Sequence, residues 1–224
     1  MKGVAVIGAG GLGQPAALAL AQLSVPIALF DGDAVEASNL PRQILFAEGD
    51  LGRPKAEVAA ERLRQLVPGC QVEAHAVFIR GAEAERLSPW PVWLDGTDGF
   101  ETKLWLSDLA LSMGRILIHG GAVRLGGQAL VIVPGEGPCL RCLVETSADA
   151  PGCRQAGILG PVVGFLGACM ARLAFEALQG AARPGLALGF DAATPLLRER
   201  LLSRQPGCPA CAALGNSTPR QRAI

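Results

Sequence analysis

Net charge is missing from this sequence. Twenty lysines and arginines balance twenty aspartates and glutamates, and only 18% of the 224 residues are charged. Without a basic surplus there is no electrostatic footprint for nucleic acid or for a membrane surface, and neither partner is expected. Histidine is scarce: His75 and His119 stand isolated in the sequence, and neither is expected to bind metal. No internal repeat is present, which sets aside solenoids and propellers. An unbroken hydrophobic run of membrane length is lacking as well. Residues 3–30 carry no charge, but glycines and prolines divide them into strand, turn, helix and strand, unlike the single apolar block of a signal peptide. The uncharged stretch 157–171 is too short and too rich in glycine and proline to cross a bilayer. The expectation is a soluble, cytoplasmic protein.

What is abundant is apolar, small and sulfur-bearing. Half of the residues are hydrophobic, as in a dense globular protein long enough to bury a real core. Seven cysteines include two Cys-x-x-Cys pairs, Cys139/Cys142 and Cys208/Cys211. That usage fits thiols kept reduced in a cytosol better than a secreted disulfide scaffold. Two such pairs supply four thiolates from two distant points of the chain, the soft tetrahedral set a structural zinc ion prefers. Cys70 and Cys169 sit in apolar surroundings and read as small core residues.

The run Val4-Ala5-Val6-Ile7 reads as a buried parallel strand, and 12–23 has helical spacing. A second strand over 26–30 ends on Asp31, which completes a βαβ unit. Between strand and helix lies Gly8-Ala9-Gly10-Gly11-Leu12-Gly13, a glycine turn that places unpaired N–H groups and a helix dipole against a phosphate. An ordered polar segment over 39–46, a helix over 54–66 and a strand over 72–77 follow. Strands at 92–95 and 115–119 then flank a helix over 101–113. Beyond residue 120 the pattern changes to hairpin strands at 121–124 and 128–133, a long small-residue helix over 161–178, and strands at 186–190 and 196–201. The expected fold is an α/β doubly wound, Rossmann-like sheet, parallel in its first half, with antiparallel strands and a zinc clip in its second. Residues 1–214 form one unit, with a flexible, linker-like tail over 215–224.

Asp31 suits a ribose, which does not separate ATP from NAD. Arg42 and Lys55 do separate them: a triphosphate needs fixed cations, and a planar guanidinium fork plus an ammonium at a helix start supply them. Asp98, in Gly96-Thr97-Asp98-Gly99 at the C-terminal end of a central strand, is placed to hold a magnesium ion that bridges phosphates. Cys153, beside Arg154, has the cationic neighbour that favours a thiolate.

Taken in order, the glycine turn, Asp31-x-Asp33, Ser38-Asn39-Leu40-Pro41-Arg42-Gln43, Gly52-x-Pro54-Lys55, Thr97-Asp98 and the cysteine pairs resemble the ThiF/MoeB/HesA adenylyltransferases, relatives of the ubiquitin-activating enzymes. The stretches 39–46 and 153–164 look most like the ThiF branch. The resemblance implies ATP and magnesium as cofactors, with zinc as the structural metal. It implies a reaction in which the C-terminal Gly-Gly carboxylate of a small ubiquitin-fold sulfur-carrier protein attacks the α-phosphate, for thiamine- or molybdopterin-type sulfur chemistry. It places Gly8, Gly10, Gly11, Gly13, Asp31, Asp33, Ser38, Asn39, Arg42, Lys55, Asp98 and Gly99 around the nucleotide. Arg42, Lys55 and Asp98 fall on catalytic positions, and Cys153 on a cysteine that forms a sulfur linkage with the carrier in some members. Residues 1–120 would be the nucleotide half and 121–214 the carrier and zinc half of a homodimer that works with a sulfurtransferase or cysteine desulfurase. Three departures stand out. The chain starts at its first strand, without the family's arginine-bearing N-terminal arm; Gly99 replaces an asparagine; and Lys103 replaces an arginine. They motivate a second reading, a non-catalytic or partner-dependent subunit. A third, an NAD(P)-dependent oxidoreductase, has Arg42 and Lys55 against it.

Overall fold

A computed structural model describes residues 2–144, 157–194 and 196–212. Eight strands form one sheet in the order β3-β2-β1-β4-β5-β6-β7-β8. The first five are parallel: β1 (Val4–Ile7), β2 (Ile27–Phe30), β3 (Val72–His75), β4 (Val92–Asp95) and β5 (Ile116–Val123). The last three, β6 (Gly126–Ile132), β7 (Leu186–Asp191) and β8 (Leu196–Leu201), add on antiparallel. The expected change of texture near residue 120 is therefore real, but β5 runs straight through it. Gly120 and Gly121 pair with Ala129 and Gln128 of β6, so the glycines sit inside a strand and do not interrupt it.

Alternation along the strands makes two cores. Val4 and Val6 face one side with helices α1 (Gly13–Gln22), α2 (Lys55–Leu66) and α4 (Gly160–Leu178). Ala5 and Ile7 face the other, with α3 (Phe100–Ser112), the 3₁₀ helix Gly81–Leu87 and the cysteine pairs. Completely burying one such aliphatic side chain stabilises the fold by about 1.5–3 kcal/mol. Both layers are dense with them, so neither face of the central strands is open to water. The short helix α5 (Pro209–Ala212) closes the described chain against α3. The 3₁₀ helix was not foreseen from the sequence, where Gly81 and the charged Glu83, Glu85 and Arg86 mask its buried Ala84 and Leu87.

Helix α4 corrects one expectation. It continues past the uncharged stretch to Leu178, and its 19 residues are long and apolar enough, by length and composition, to cross a membrane. Its face of Val162, Val163, Leu166, Met170, Leu173 and Ala174 is instead buried on α1 and on β5 and β6, as in the core helix of a globular sheet.

The strand order reverses direction between β1 and β4, and in open parallel sheets ligands bind in the crevice beyond the carboxyl ends at that point. Here the loops after β1 and β4 touch: the Gly96 N–H donates to the Ile7 carbonyl at 2.8 Å. Gly8 has φ +96°, and a Cβ there would stand 2.9 Å from Gly96. A Cβ on Gly13 would lie 1.8 Å from the Gly8 carbonyl oxygen, so only glycine lets α1 start this close to its strand.

Candidate functional site at the switch of the sheet

A cleft of about 420 Å³ opens at this crevice. Gly8, Gly10, Gly11, Asp31, Asp33, Asn39, Arg42, Lys55, Asp98 and Gly99 all line it, so the structure gathers most of the site residues expected from sequence. Ser38 and Gly13 are outside the lining. Ser38 is exposed, and its carbonyl accepts a hydrogen bond from Arg42 at 2.9 Å. Gly13 serves the packing of the turn. Cys153 and the tail over 215–224 lie outside the described residues.

Each polar wall is held from behind. The Asp31 carboxylate accepts from the backbone N–H groups of Ala9 at 2.7 Å and Asp33 at 2.8 Å, which ties the glycine turn to the end of β2. Burial raises its pKa, against the lowering effect of those two N–H groups. Asn39 Oδ1 accepts from Arg42 at 2.6 Å, and Asn39 itself donates to Glu36. Two of the five guanidinium N–H donors of Arg42 are thus used to orient the fork. Gln14, fully buried at the start of α1, bridges the Ala9 carbonyl and the Leu45 N–H, so the polar segment after Asn39 is latched onto the glycine turn.

Lys55 differs from the exposed helix lysine that the sequence allows. It is 7% exposed, and its ammonium pairs with Asp33 at 3.2 Å on the cleft wall. Its aliphatic stem is part of the packing. A Lys55→Ala variant is therefore expected to lose about 1 kcal/mol of stability in urea unfolding, more than the few tenths typical of a surface lysine. Asp98 is exposed at the mouth, while Gly99 holds the N-cap position of α3, so Asp98 is not the cap of that helix.

Sequence reasoning missed the far wall, Val77, Phe78, Ile79 and Arg80. Phe78 is 53% exposed, and its ring lies against Gly32 with the Arg80 guanidinium 5.6 Å from the ring centre. The available signal was positional, because this segment follows the carboxyl end of the strand beside β2.

A second cavity of about 690 Å³ adjoins the first, and Asp98 lines both. Its walls come from β5 to β8 and the start of α3, with Gly121, Gly127, Leu188, Phe190, Leu196 and Arg200 among them. His119 and Lys103 also face it, and neither is isolated. Asp95, wholly buried, accepts from His119 Nδ1 at 2.9 Å, from Lys103 Nζ at 3.3 Å and from the Thr97 hydroxyl at 2.7 Å. Lys103 also donates to the Gly120 carbonyl at 2.6 Å, so its charge is committed to holding β4, β5 and α3 together. Burial opposes ionisation of Asp95, but Lys103 and the hydrogen bonds outweigh it and hold the carboxyl well below its usual range. Burial pushes His119 below its ordinary 6.5. The unfolded chain takes up a proton at His119 near that pH and the folded chain does not. Stability is thus expected to decline as pH falls below 6.5, by up to about 1.4 kcal/mol per pH unit, and a His119→Phe variant should flatten that slope in denaturant titrations.

The cysteine pairs converge on the face of the sheet that carries α3. Cys139 and Cys208 sulfurs are 3.7 Å apart, Cys142 and Cys211 3.6 Å, and Cys139 and Cys142 3.9 Å. All four lie within 4.8 Å of one another. A disulfide needs about 2.05 Å, so these are thiols. A tetrahedral ion with metal–sulfur bonds of about 2.3 Å sets its ligands about 3.8 Å apart. The four sulfurs are thus spaced to hold such an ion.

The chain is similar in sequence to several adenylyltransferases. The chain is 36% identical over 233 residues to the sulfur carrier protein adenylyltransferase of Thermus thermophilus, covering 99% of this chain and 84% of that protein. It is 40% identical over 213 residues to the sulfur carrier protein ThiS adenylyltransferase of Escherichia coli, covering 93% and 85%. Against the adenylyltransferase and sulfurtransferase uba4 of Emericella nidulans it is 40% identical over 230 residues, covering 94% of this chain but only 48% of that longer protein. Among solved structures, E. coli MccB crystallised with ATP superposes with a TM-score of 0.79 at 23% identity, over 93% of this chain and 66% of MccB, a likeness of fold alone. The sequence model of the ThiF family matches residues 2–210, and the chain belongs to that family.

Proposed function

We propose that this chain is an adenylyltransferase that activates the C-terminal glycine of a small ubiquitin-fold sulfur carrier. The observation that carries the reading is the junction of two cavities at Asp98: a polar cleft edged by Arg42 and Lys55, and a larger, mainly apolar groove beside it. ATP would occupy the cleft, with its phosphates over the glycine turn and between the two cations. The carrier's extended Gly-Gly tail would lie in the groove and pass Asp98. A carboxylate oxygen of the terminal glycine attacks the α-phosphorus, the α–β anhydride bond breaks, and pyrophosphate departs, leaving an acyl-adenylate. Arg42 and Lys55 stabilise charge that grows on the phosphate oxygens as that bond breaks.

The exposed Asp98 carboxylate suits magnesium, which favours one or two carboxylates completed by phosphate oxygens. When bound, it would neutralise phosphate charge. Zinc fits the four thiols better than a harder cation, by sulfur softness and by the tetrahedral spacing. The relatives' names support the carrier as substrate, and sulfur transfer for thiamine- or molybdopterin-type cofactors is the proposed purpose. A cytoplasmic homodimer working with a sulfurtransferase or cysteine desulfurase completes the proposal. Within it, residues 1–214 act as one unit and Cys153 is the thiol open to a sulfur linkage with the carrier.

The deciding experiment is ATP–pyrophosphate exchange with and without a carrier ending in Gly-Gly. Exchange that requires the intact terminal glycine supports the reading. No exchange, with ATP binding retained, overturns it in favour of a non-catalytic subunit.

A further inference from the structure

Asp95 and His119 are direct partners in the register of the parallel pair β4 and β5, so their side chains meet without any loop to position them. Asp95 is an ionised acceptor with 0% exposure, fully engaged by His119, Lys103 and Thr97. A carboxylate can only accept, so His119 Nδ1 must carry the proton it donates there. Burial keeps the ring neutral, and a neutral imidazole protonated at Nδ1 leaves a lone pair on Nε2. Nε2 has no hydrogen-bond partner among the described residues. Its edge of the ring lies toward Gly121, whose added Cβ would be 3.9 Å from Nε2 with nothing else close. Both residues line the larger cavity, on the wall that reaches Asp98 and hence the nucleotide cleft.

We infer that His119 Nε2 accepts a hydrogen bond from one of the last two peptide N–H groups of the carrier tail, fixing the tail as its carboxylate passes into the cleft. The inference rests on the adenylation reading above and adds to it a named contact. A peptide in an apolar groove must find acceptors for its N–H groups, because a buried unpaired donor is costly. An imidazole fixed in one tautomer by a buried carboxylate is such an acceptor, already oriented before the tail arrives. Lys103 cannot do this, being a donor only, and its ammonium is turned to Asp95 and the Gly120 carbonyl. His119 is thus a substrate-positioning residue whose contact sets affinity more than the chemical step.

The test uses the full chain and semisynthetic Gly-Gly carriers in which one of the last two peptide N–H groups is replaced by an ester oxygen. In carrier-dependent exchange, one ester carrier should show a KM raised about 2- to 12-fold with kcat little changed, the scale of one neutral hydrogen bond. In His119→Phe that ester penalty should vanish, because the acceptor is already gone. A merely structural histidine would lower activity with amide and ester carriers alike, and an equal penalty in both proteins overturns the inference. Should His119→Phe fold poorly, the unaltered chain still gives the answer. It has two histidines, so ¹⁵N-histidine labelling resolves His119 directly. The amide carrier should move the unprotonated Nε2 resonance upfield and the ester carrier should not. An Nε2 that is already protonated, or that both carriers leave unmoved, overturns it. If no carrier supports exchange in the unaltered chain, the adenylation reading itself fails, and this inference with it.

Discussion

Arg42→Ala should slow carrier adenylation by about 10²–10³ while leaving the fold nearly as stable, the usual scale for losing one preorganised charge donor at a reacting oxygen. The Ser38 carbonyl and Asn39 Oδ1 take two of its N–H groups, at 2.9 and 2.6 Å, and both acceptors belong to the segment latched to the glycine turn through Gln14 and Leu45. The other N–H groups are thereby oriented without cost at the moment of reaction. Arg42 is half-buried, and its partners are a backbone carbonyl and an amide that keeps its bond to Glu36, so removal should cost no more than about 1 kcal/mol of stability. Arg42→Lys should recover little, because a point charge on a flexible stem cannot use both acceptors and still face the phosphates. Lys55→Ala provides the contrast, with a comparable rate loss expected together with the stability loss that its burial imposes. The two effects separate in one experiment, exchange rates at saturating ATP beside urea midpoints. An Arg42→Ala variant that exchanges normally, or that melts far earlier, would reverse the assignment.

How much of this was legible beforehand depends on how far apart the cooperating residues lie in sequence. The strands β1, β2 and β4 are short apolar runs ended by glycine or aspartate, and such runs between turn signals are read easily. The glycine turn, Arg42 and Lys55 were legible because each belongs to a local motif next to a strand or helix end. The continuation of β5 through Gly120 and Gly121 was not, since glycine ordinarily weakens a strand and here the ladder with β6 carries it. The burial of Lys55 was not legible, because helical spacing tells which face a residue takes, not that Asp33 from another segment pairs with it. The Asp95–Lys103–His119 cluster was invisible for a related reason. Its members are scattered over β4, α3 and β5, and only the parallel register of β4 with β5 sets Asp95 beside His119. Both histidines looked solitary in the sequence, and His75 in fact stacks on Phe30 with ring centres 4.4 Å apart. The cysteine pairs, by contrast, announced their meeting through spacing alone, because the x-x interval has few other uses in a reduced protein.

Those pairs carry the other large expected effect. Replacing Cys208 with serine, or stripping the metal with a strong chelator, should release close to one zinc ion per chain and loosen α5 and β8. Cys139 caps and Cys142 ends a single 3₁₀ turn in the connection after β6, while Cys208 precedes and Cys211 lies within α5, after β8. Helix α5 is only four residues long, too short to persist by its own hydrogen bonds, so the sulfur cluster and its contact with α3 are what keep it in place. Strand β8 is exposed along its whole length and pairs with β7 alone, so its free end depends on the same anchor. In the absence of a metal, burial pushes the Cys139 thiol far above its ordinary pKa, a cost that coordination as thiolate reverses. Structural zinc sites in small peptides show apparent binding free energies of about 10–16 kcal/mol. The share felt by global folding will be smaller here, because α1, α2, α4 and the face of β1 to β5 beneath them bury a core that does not include the cluster. The expected outcome is therefore uneven. Hydrogen exchange should quicken first in β8 and α5 and in the turn around Leu140, while β1, β2 and β4 stay protected. The larger cavity draws Leu140, Leu196, Arg200 and Leu202 from these loosened parts, and the cleft draws on none of them. Chelation should accordingly weaken carrier-dependent exchange much more than ATP binding. Unchanged metal content in Cys208→Ser, or equal loss of ATP and carrier binding after chelation, would show that the cluster does not act as this anchor.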